Sequence, residues 1–292
     1  VVDKRKVRRD HADYFCTLNE GIKGRRALEW NLVDELVPRS KLMDKAAERA
    51  KEFTASSSRP DDQEGVVLTP LSREILTDRI NYNSVSCEIN REVCTAEITI
   101  HAPTKMPEQE ITAIHAAGVN FWPLAFAREF DDLILHLRSN ENEITTWVFK
   151  TEGNADFVAA ADDALTNNTD NWLIKEIILY IKRTFKRLDV SSRSIITLVE
   201  PGSCYTGTLM ELVLAADRSY MLDGIIEGSN IAAASLRPTT MNFGFLPMCN
   251  DLSRLETRFL NDETMIAAIK AKIGSDLDAE RAEELGLVTF IP

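Results

Sequence analysis

Ser194-Ile195-Ile196-Thr197-Leu198-Val199-Glu200-Pro201-Gly202 continues through Gly207-Thr208-Leu209-Met210-Glu211-Leu212 and ends at Asp217. Its head is a short apolar, β-branched run bounded by a Pro-Gly pair, which predicts a buried strand over 194–199. The run from Leu209 to Ala216 predicts a buried helix. Upstream, Asp170 to Leu188 places Ile174, Ile177, Ile178, Ile181, Phe185 and Leu188 on one helical face, with Lys175, Lys182, Arg183, Lys186 and Arg187 toward water. Thr169 or Asp170 is the expected N-cap. A strand precedes it through Ile144, Thr146 and Val148 up to Gly153, and before that comes a helix over 123–138 carrying Leu124, Ala127, Phe130, Ile134 and Leu137. Thr95 to Ile100 alternates with a period of two, and Glu88 to Glu92 can turn the chain, so a hairpin is expected from Cys87. Strand, helix, strand, helix implies α/β layering with crossover connections.

The rest of the chain reads differently. Residues 3–53 are helical and polar-faced, ending in Lys41 to Phe53 with Leu42, Ala46, Ala50 and Phe53 at helical spacing. Ala55-Ser56-Ser57-Ser58-Arg59-Pro60-Asp61-Asp62 has the composition of a linker. The whole is 292 residues, 44% hydrophobic and 27% charged, with a net charge of -12. An acidic field of that size argues against general nucleic-acid binding. No run of eighteen apolar residues suggests a membrane span and no leader is evident, so a cytoplasmic location is expected. Five cysteines without a CxxC pair, and four histidines without HExxH, speak against a disulfide framework or a metal site. The abrupt start at Val1 and the stop just past Leu287, Val288, Phe290 and Ile291 predict a piece of a longer chain.

Arg26-Ala27-Leu28-Glu29-Trp30-Asn31-Leu32-Val33 is similar to Arg281-Ala282-Glu283-Glu284-Leu285-Gly286-Leu287-Val288. From Ala27 to Ala282 is 255 positions, a domain-sized period. Two copies of one domain, and chance likeness between two helix ends, both fit those residues. The repeated phrase resembles the late helix of the crotonase (enoyl-CoA hydratase/isomerase) superfamily. Three further stretches follow in that family's order: Phe157-Val158-Ala159-Ala160-Ala161-Asp162 resembles its F-x-A-G-x-D turn, Ile196 to Asp217 its strand, glycine turn and E-L-x-x-x-x-D helix, and Gly244-Phe245-Leu246-Pro247 before Arg254-Leu255 its G-x-x-P to R-L segment. The resemblance implies a crotonase-like ββα spiral over 87–292, a second copy truncated at its C-terminus. It would follow a linker over 55–86 and the helical tail of a first copy over 1–54. Several stretches also resemble a two-copy member of the family. This implies a homodimeric lyase without cofactor, acting on an aromatic acyl-CoA thioester; a generic enoyl-CoA hydratase or isomerase and a non-catalytic scaffold or dimerisation domain are the alternatives.

Chemistry of this class needs two backbone N–H groups aimed at a thioester oxygen, and carboxylates to move protons. By the resemblance, the first donor lies at Ala159 or Ala160 and the second at Gly207 or Thr208. Ala160, Thr208 and Leu209 stand where the family has glycines. Glu211 matches one family carboxylate, or else is a first-turn acid that favours the helix dipole. The second family acid falls on Thr240, which has no acid–base chemistry near neutral pH. The copy therefore looks degenerate, with catalysis expected in the first copy. Lys4, Arg5 and Lys6 are candidates for the coenzyme A phosphates, or a solvated helix face. Cys204 near Glu200 is a nucleophile candidate or simply core, and Trp30, Trp122, Trp147 and Trp172 read as packing residues.

Overall fold

A computed structural model describes residues 1–57, 59–63, 65–228 and 230–292. Ser58 of the predicted linker lies outside the described residues. The chain divides into two compact units, Val1–Asp61 and Asp62–Pro292.

The first unit is helical, as its sequence implies: α1 (Val2–Arg5), α2 (Arg9–Thr17), α3 (Gly24–Glu29) and α4 (Leu42–Ala55). Among its described residues the buried apolar side chains are Val7, Ala12 and Ala27. The apolar stripe of α4 is exposed, with Leu42 at 53% and Phe53 at 72%. Ion pairs along α4, Lys45 with Glu48 at 3.0 Å and Arg49 with Glu52 at 2.6 Å, support it instead. Such exposed pairs contribute only a few tenths of a kcal/mol each. Trp30 stacks on His11 with ring centroids 4.0 Å apart.

The second unit is built on a mixed seven-stranded sheet in strict chain order: β1 (Glu74–Ile75), β2 (Arg79–Asn81), β3 (Val85–Asn90), β4 (Thr95–His101), β5 (Thr146–Glu152), β6 (Ser194–Val199) and β7 (Arg218–Met221). The first four pair antiparallel and the last four parallel. The expected 55–86 linker is thus too long. Within it, residues 74–75, 79–81 and 85–86 already pair as strands, with Ile80 and Val85 fully buried in the core. The hairpin turn also sits later than expected: Glu88, Ile89 and Asn90 are still strand, and Asn90 Oδ1 accepts the N–H groups of Glu92 and Val93 to close the turn.

Helices make the parallel crossovers: α5 (Ile111–Ala117) and α6 (Trp122–Asn140) from β4 to β5, α7 (Ala155–Thr166) and α8 (Trp172–Asp189) from β5 to β6, and α9 (Met210–Ala215) from β6 to β7. All six residues of the predicted α8 stripe are buried, and each is worth about 1.5–3 kcal/mol against full exposure. Phe130 of α6 packs on Phe126, Phe149 and Phe185 with centroids 5.3, 5.8 and 6.0 Å away. The α8 cap is Asn171, whose Oδ1 accepts from the N–H groups of Leu173 and Ile174. Arg187, expected to face water, is half-buried, its Nε 2.6 Å from Asp131 of α6. Trp147 is core as expected, while Trp122 and Trp172 are half-buried. The C-terminal part adds α10 (Arg254–Arg258), α11 (Glu263–Lys270) and α12 (Ala279–Glu284).

The two stretches of the repeat end their helices in the same way. Asn31 (φ 58°) follows α3 and Gly286 (φ 65°) follows α12, each in the left-handed region. Leu32 N–H then reaches Ala27 O at 2.9 Å, and Leu287 N–H reaches Ala282 O at 2.8 Å. This six-to-one bond is the common glycine-type helix stop, so it is compatible with a repeat without requiring one.

Candidate functional site

β5 and β6 are parallel neighbours, so the segments leaving their C-terminal ends are placed side by side. One segment enters α7 and the other forms the Thr206-Gly207-Thr208 turn into α9. Phe157 to Asp162, expected as a turn, lies wholly inside α7. Asn154 caps that helix and its carbonyl takes Val158 N–H, so Ala159 and Ala160 come after the first turn and their N–H groups belong to the helical ladder. Neither presents a free donor, and Ala160 O accepts Gln109 Nε2 at 3.0 Å.

The second expected donor pair is also engaged. Gly207 N–H donates to Arg237 O at 2.9 Å, and Thr208 N–H to Asp162 Oδ2 at 2.9 Å. Thr208 Oγ1 donates to Asp162 Oδ1 at 2.5 Å, and Thr239 Oγ1 to Asp162 Oδ2 at 2.9 Å. A side-chain carboxylate therefore fills the cradle made by this turn. Gly207 is required here: its φ is 45°, and a Cβ on it would fall 1.7 Å from Asp162 Oδ2. Asp162 is 2% exposed, and burial pushes its carboxyl up to about 7 despite the hydrogen bonds from Thr208 and Thr239.

Glu211, in the first turn of α9, is also 2% exposed. Its Oε1 accepts Asn242 Nδ2 at 2.7 Å and its Oε2 accepts Arg254 Nη1 at 2.8 Å. Arg254 Nη2 reaches both oxygens of Asp189 at 2.9 and 3.0 Å, as well as Phe185 O. One guanidinium thus ties the end of α8, the start of α9 and α10 together. Burial raises the Glu211 carboxyl, opposed by Arg254 and Asn242. Thr240 is exposed at the head of a short turn, Thr240–Asn242. Its neighbours Thr239 and Asn242, not singled out from the sequence, supply the contacts to Asp162 and Glu211 instead.

The remaining candidates sit elsewhere. Lys4, Arg5 and Lys6 belong to the first unit, where Arg5 pairs with Asp34 at 3.1 Å and donates to Asn31 O; Lys4 and Lys6 are exposed. Cys204 is buried, its thiol pushed up to about 11 by desolvation, and Glu200 lies 3.7 Å from Lys150. Among the described residues no group of three or more His, Cys, Asp or Glu is arranged to hold a metal, and no helix is long and apolar enough to cross a membrane. A surface cavity of about 580 Å³ lies on β2 to β4, away from this site. Its arginines are spent on acids, Arg79 on Glu88 at 2.7 Å and Arg91 on Glu141.

The second unit is an α/β fold with a buried polar cluster on the turn after a parallel strand. Solved structures similar to the chain include enoyl-CoA hydratases from Bacillus anthracis and from Shewanella pealeana, each 15% identical with a TM-score of 0.46. Both matches cover 72% of this chain, and 70% and 68% of those chains respectively. No family model matches. The chain is a homologue of the benzoyl-CoA-dihydrodiol lyase of Aromatoleum evansii, 46% identical over all 292 residues. It spans about half, 52%, of that relative's length.

Proposed function

We propose that this chain contributes the auxiliary, second crotonase-like domain of a cytoplasmic, homodimeric acyl-CoA lyase that opens the oxygenated ring of a benzoyl-CoA thioester. The observation that carries the reading is its 46% identity, along its whole length, to a benzoyl-CoA-dihydrodiol lyase. The auxiliary role rests on the geometry. An oxyanion hole works through donors left unpaired until charge develops. Here the N–H groups of Gly207 and Thr208 are already bonded, and those of Ala159 and Ala160 lie within α7. A general acid or base must come within hydrogen-bond reach of the substrate proton. Glu211 instead holds Asn242 and Arg254 in a buried ionic cluster. On this reading the proton-moving carboxylates belong to the part of the lyase that the chain does not span.

The test is turnover of a benzoyl-CoA-derived substrate by the longest form of the protein, in which Glu211 is changed to Gln. Gln keeps the shape and one of the two acceptor oxygens while removing the charge; its NH2 faces a donor of Asn242 or Arg254, so folding of the variant is checked beside turnover. The expected kcat lies within about twofold of the unmodified protein, whereas loss of an acid–base group costs about 10²–10⁴-fold. A loss on that scale in a folded variant overturns the auxiliary role and favours a working hydratase- or isomerase-type site. Absence of turnover in the unmodified protein overturns the lyase assignment itself.

A further inference from the structure

At the opposite ends of the parallel strands, below the Asp162 cradle, a cavity of about 270 Å³ opens between the end of α8, the start of β6 and α10. Three arginines line it: Arg193, Arg254 and Arg258. Arg254 has 1% of its side chain exposed; both its terminal nitrogens are taken, but its Nε is buried without a hydrogen-bond partner. Arg193 Nε is likewise buried and unpartnered, and its Nη1 reaches only the adjacent Ser192 O at 2.9 Å. Arg258 spends its Nε on Gly286 O at 2.7 Å and has no carboxylate at ion-pair distance among the described residues. Arg258 is half-buried, and desolvation lowers its pKa with no carboxylate opposing it among the described residues.

Leaving the Nε–H groups of Arg193 and Arg254 buried and unpaired is costly, and an oxyanion in the cavity can accept from both, with the Arg258 guanidinium beside it as counter-charge. Guanidinium groups lining one cavity suit a ligand with several oxygens, which can accept from more than one of them. Two acids also line the cavity. Asp189 is neutralised by Arg254, and Asp217 turns Oδ2 to the Ile195 N–H at 2.8 Å. With Glu211 behind Arg254 the local charges balance, so recognition comes from directed donors and not from net charge.

We propose that this cavity is a binding site for a tetrahedral oxyanion, inorganic phosphate or a small phosphate ester, held by Arg193, Arg254 and Arg258. The site does not depend on the lyase reading: Arg254 also holds Glu211, but the oxyanion would meet its Nε, and Arg193 and Arg258 contact neither Glu211 nor Asp162 by any hydrogen bond or ion pair among the described residues.

Calorimetric titration of the full chain with inorganic phosphate tests it, at an ionic strength held constant with sodium chloride. A parallel titration with AMP separates free phosphate from a phosphate ester. The expected result is saturable binding near ~1 mM, weakened at least about tenfold in Arg258→Gln and in Arg193→Gln. Tighter binding of AMP assigns the site to a phosphate ester, and weaker binding to free phosphate. Absence of saturable binding by either ligand, or binding unchanged in both variants, overturns the proposal. Arg193 is half-exposed ahead of β6, so Arg193→Gln keeps the test decisive should Arg258→Gln fail to fold.

Discussion

Asp162 is the residue whose environment has the plainest thermodynamic consequence. Its carboxyl titrates near 3.8 when solvated and at about 7 in the fold. Between those values the folded state holds a proton that the unfolded state has released. Stability therefore falls as pH rises from about 4 to about 7, and this contribution is flat above that; the full swing is about 4 kcal/mol. Asp162→Asn mimics the protonated acid, with its amide donating to Thr208 Oγ1 and its oxygen accepting from Thr208 N–H and Thr239. Urea unfolding at several pH values should show the variant gaining on the parent as pH rises through 4–7, and exceeding it at pH 7. Asp189 and Glu211, whose carboxyls are also raised by burial, titrate in both proteins, so the difference isolates Asp162. Parallel pH curves would mean that the cradle tolerates the carboxylate and that its burial costs nothing. Asp162 was visible in the sequence only as the end of a motif. Its partner Thr239 lies 77 positions away, and no periodicity or spacing connects the two.

At the scale of elements, what was legible follows the strength of the hydrophobic pattern. The bounds of β6 and the buried face of α8 agree with the sequence reading, because a long run of Ile and Phe at helical spacing leaves one way to bury it. The α8 cap falls one or two residues later than the sequence suggests. Thr169, Asp170 and Asn171 are all good caps, and only the chain path decides which side chain reaches the first free N–H groups. Asn171→Ala should lower stability by about 1 kcal/mol, while Thr169→Ala and Asp170→Ala change it by less than about 0.5 kcal/mol. Equal losses from all three would show the capping bonds to be interchangeable. The Phe157 to Asp162 stretch differs for another reason. Apolar and small residues there suit a turn or a helix alike, and Asn154, with its side chain on the Asp156 N–H, settles it as a helix start. The helix takes the Ala159 and Ala160 N–H groups into its ladder, a consequence of chain path that no spacing in the sequence reveals.

At the scale of the whole molecule the two units differ in what holds them. The second has a continuous core in which the aromatic cluster of α6, α8 and β5 meets the sheet. In the first, three small or medium apolar side chains are buried among the described residues, while Leu42, Met43 and Phe53 stand exposed on α4. Folding must offset about 1–2 kcal/mol of backbone entropy per ordered residue. Val7, Ala12 and Ala27 bury far too little surface to do so at about 25 cal/mol per Å². An amphipathic stripe shows that a face is apolar and not that anything covers it. Residues 62–292 produced alone should accordingly give a single cooperative urea transition followed equally by tryptophan fluorescence and circular dichroism. Residues 1–61 alone should show no cooperative transition and should bind a hydrophobic dye through the α4 face. A sharp transition in the short piece would show that its helices are self-sufficient, and that surface ion pairs such as Arg49 with Glu52 contribute far more than the few tenths of a kcal/mol usual for exposed pairs.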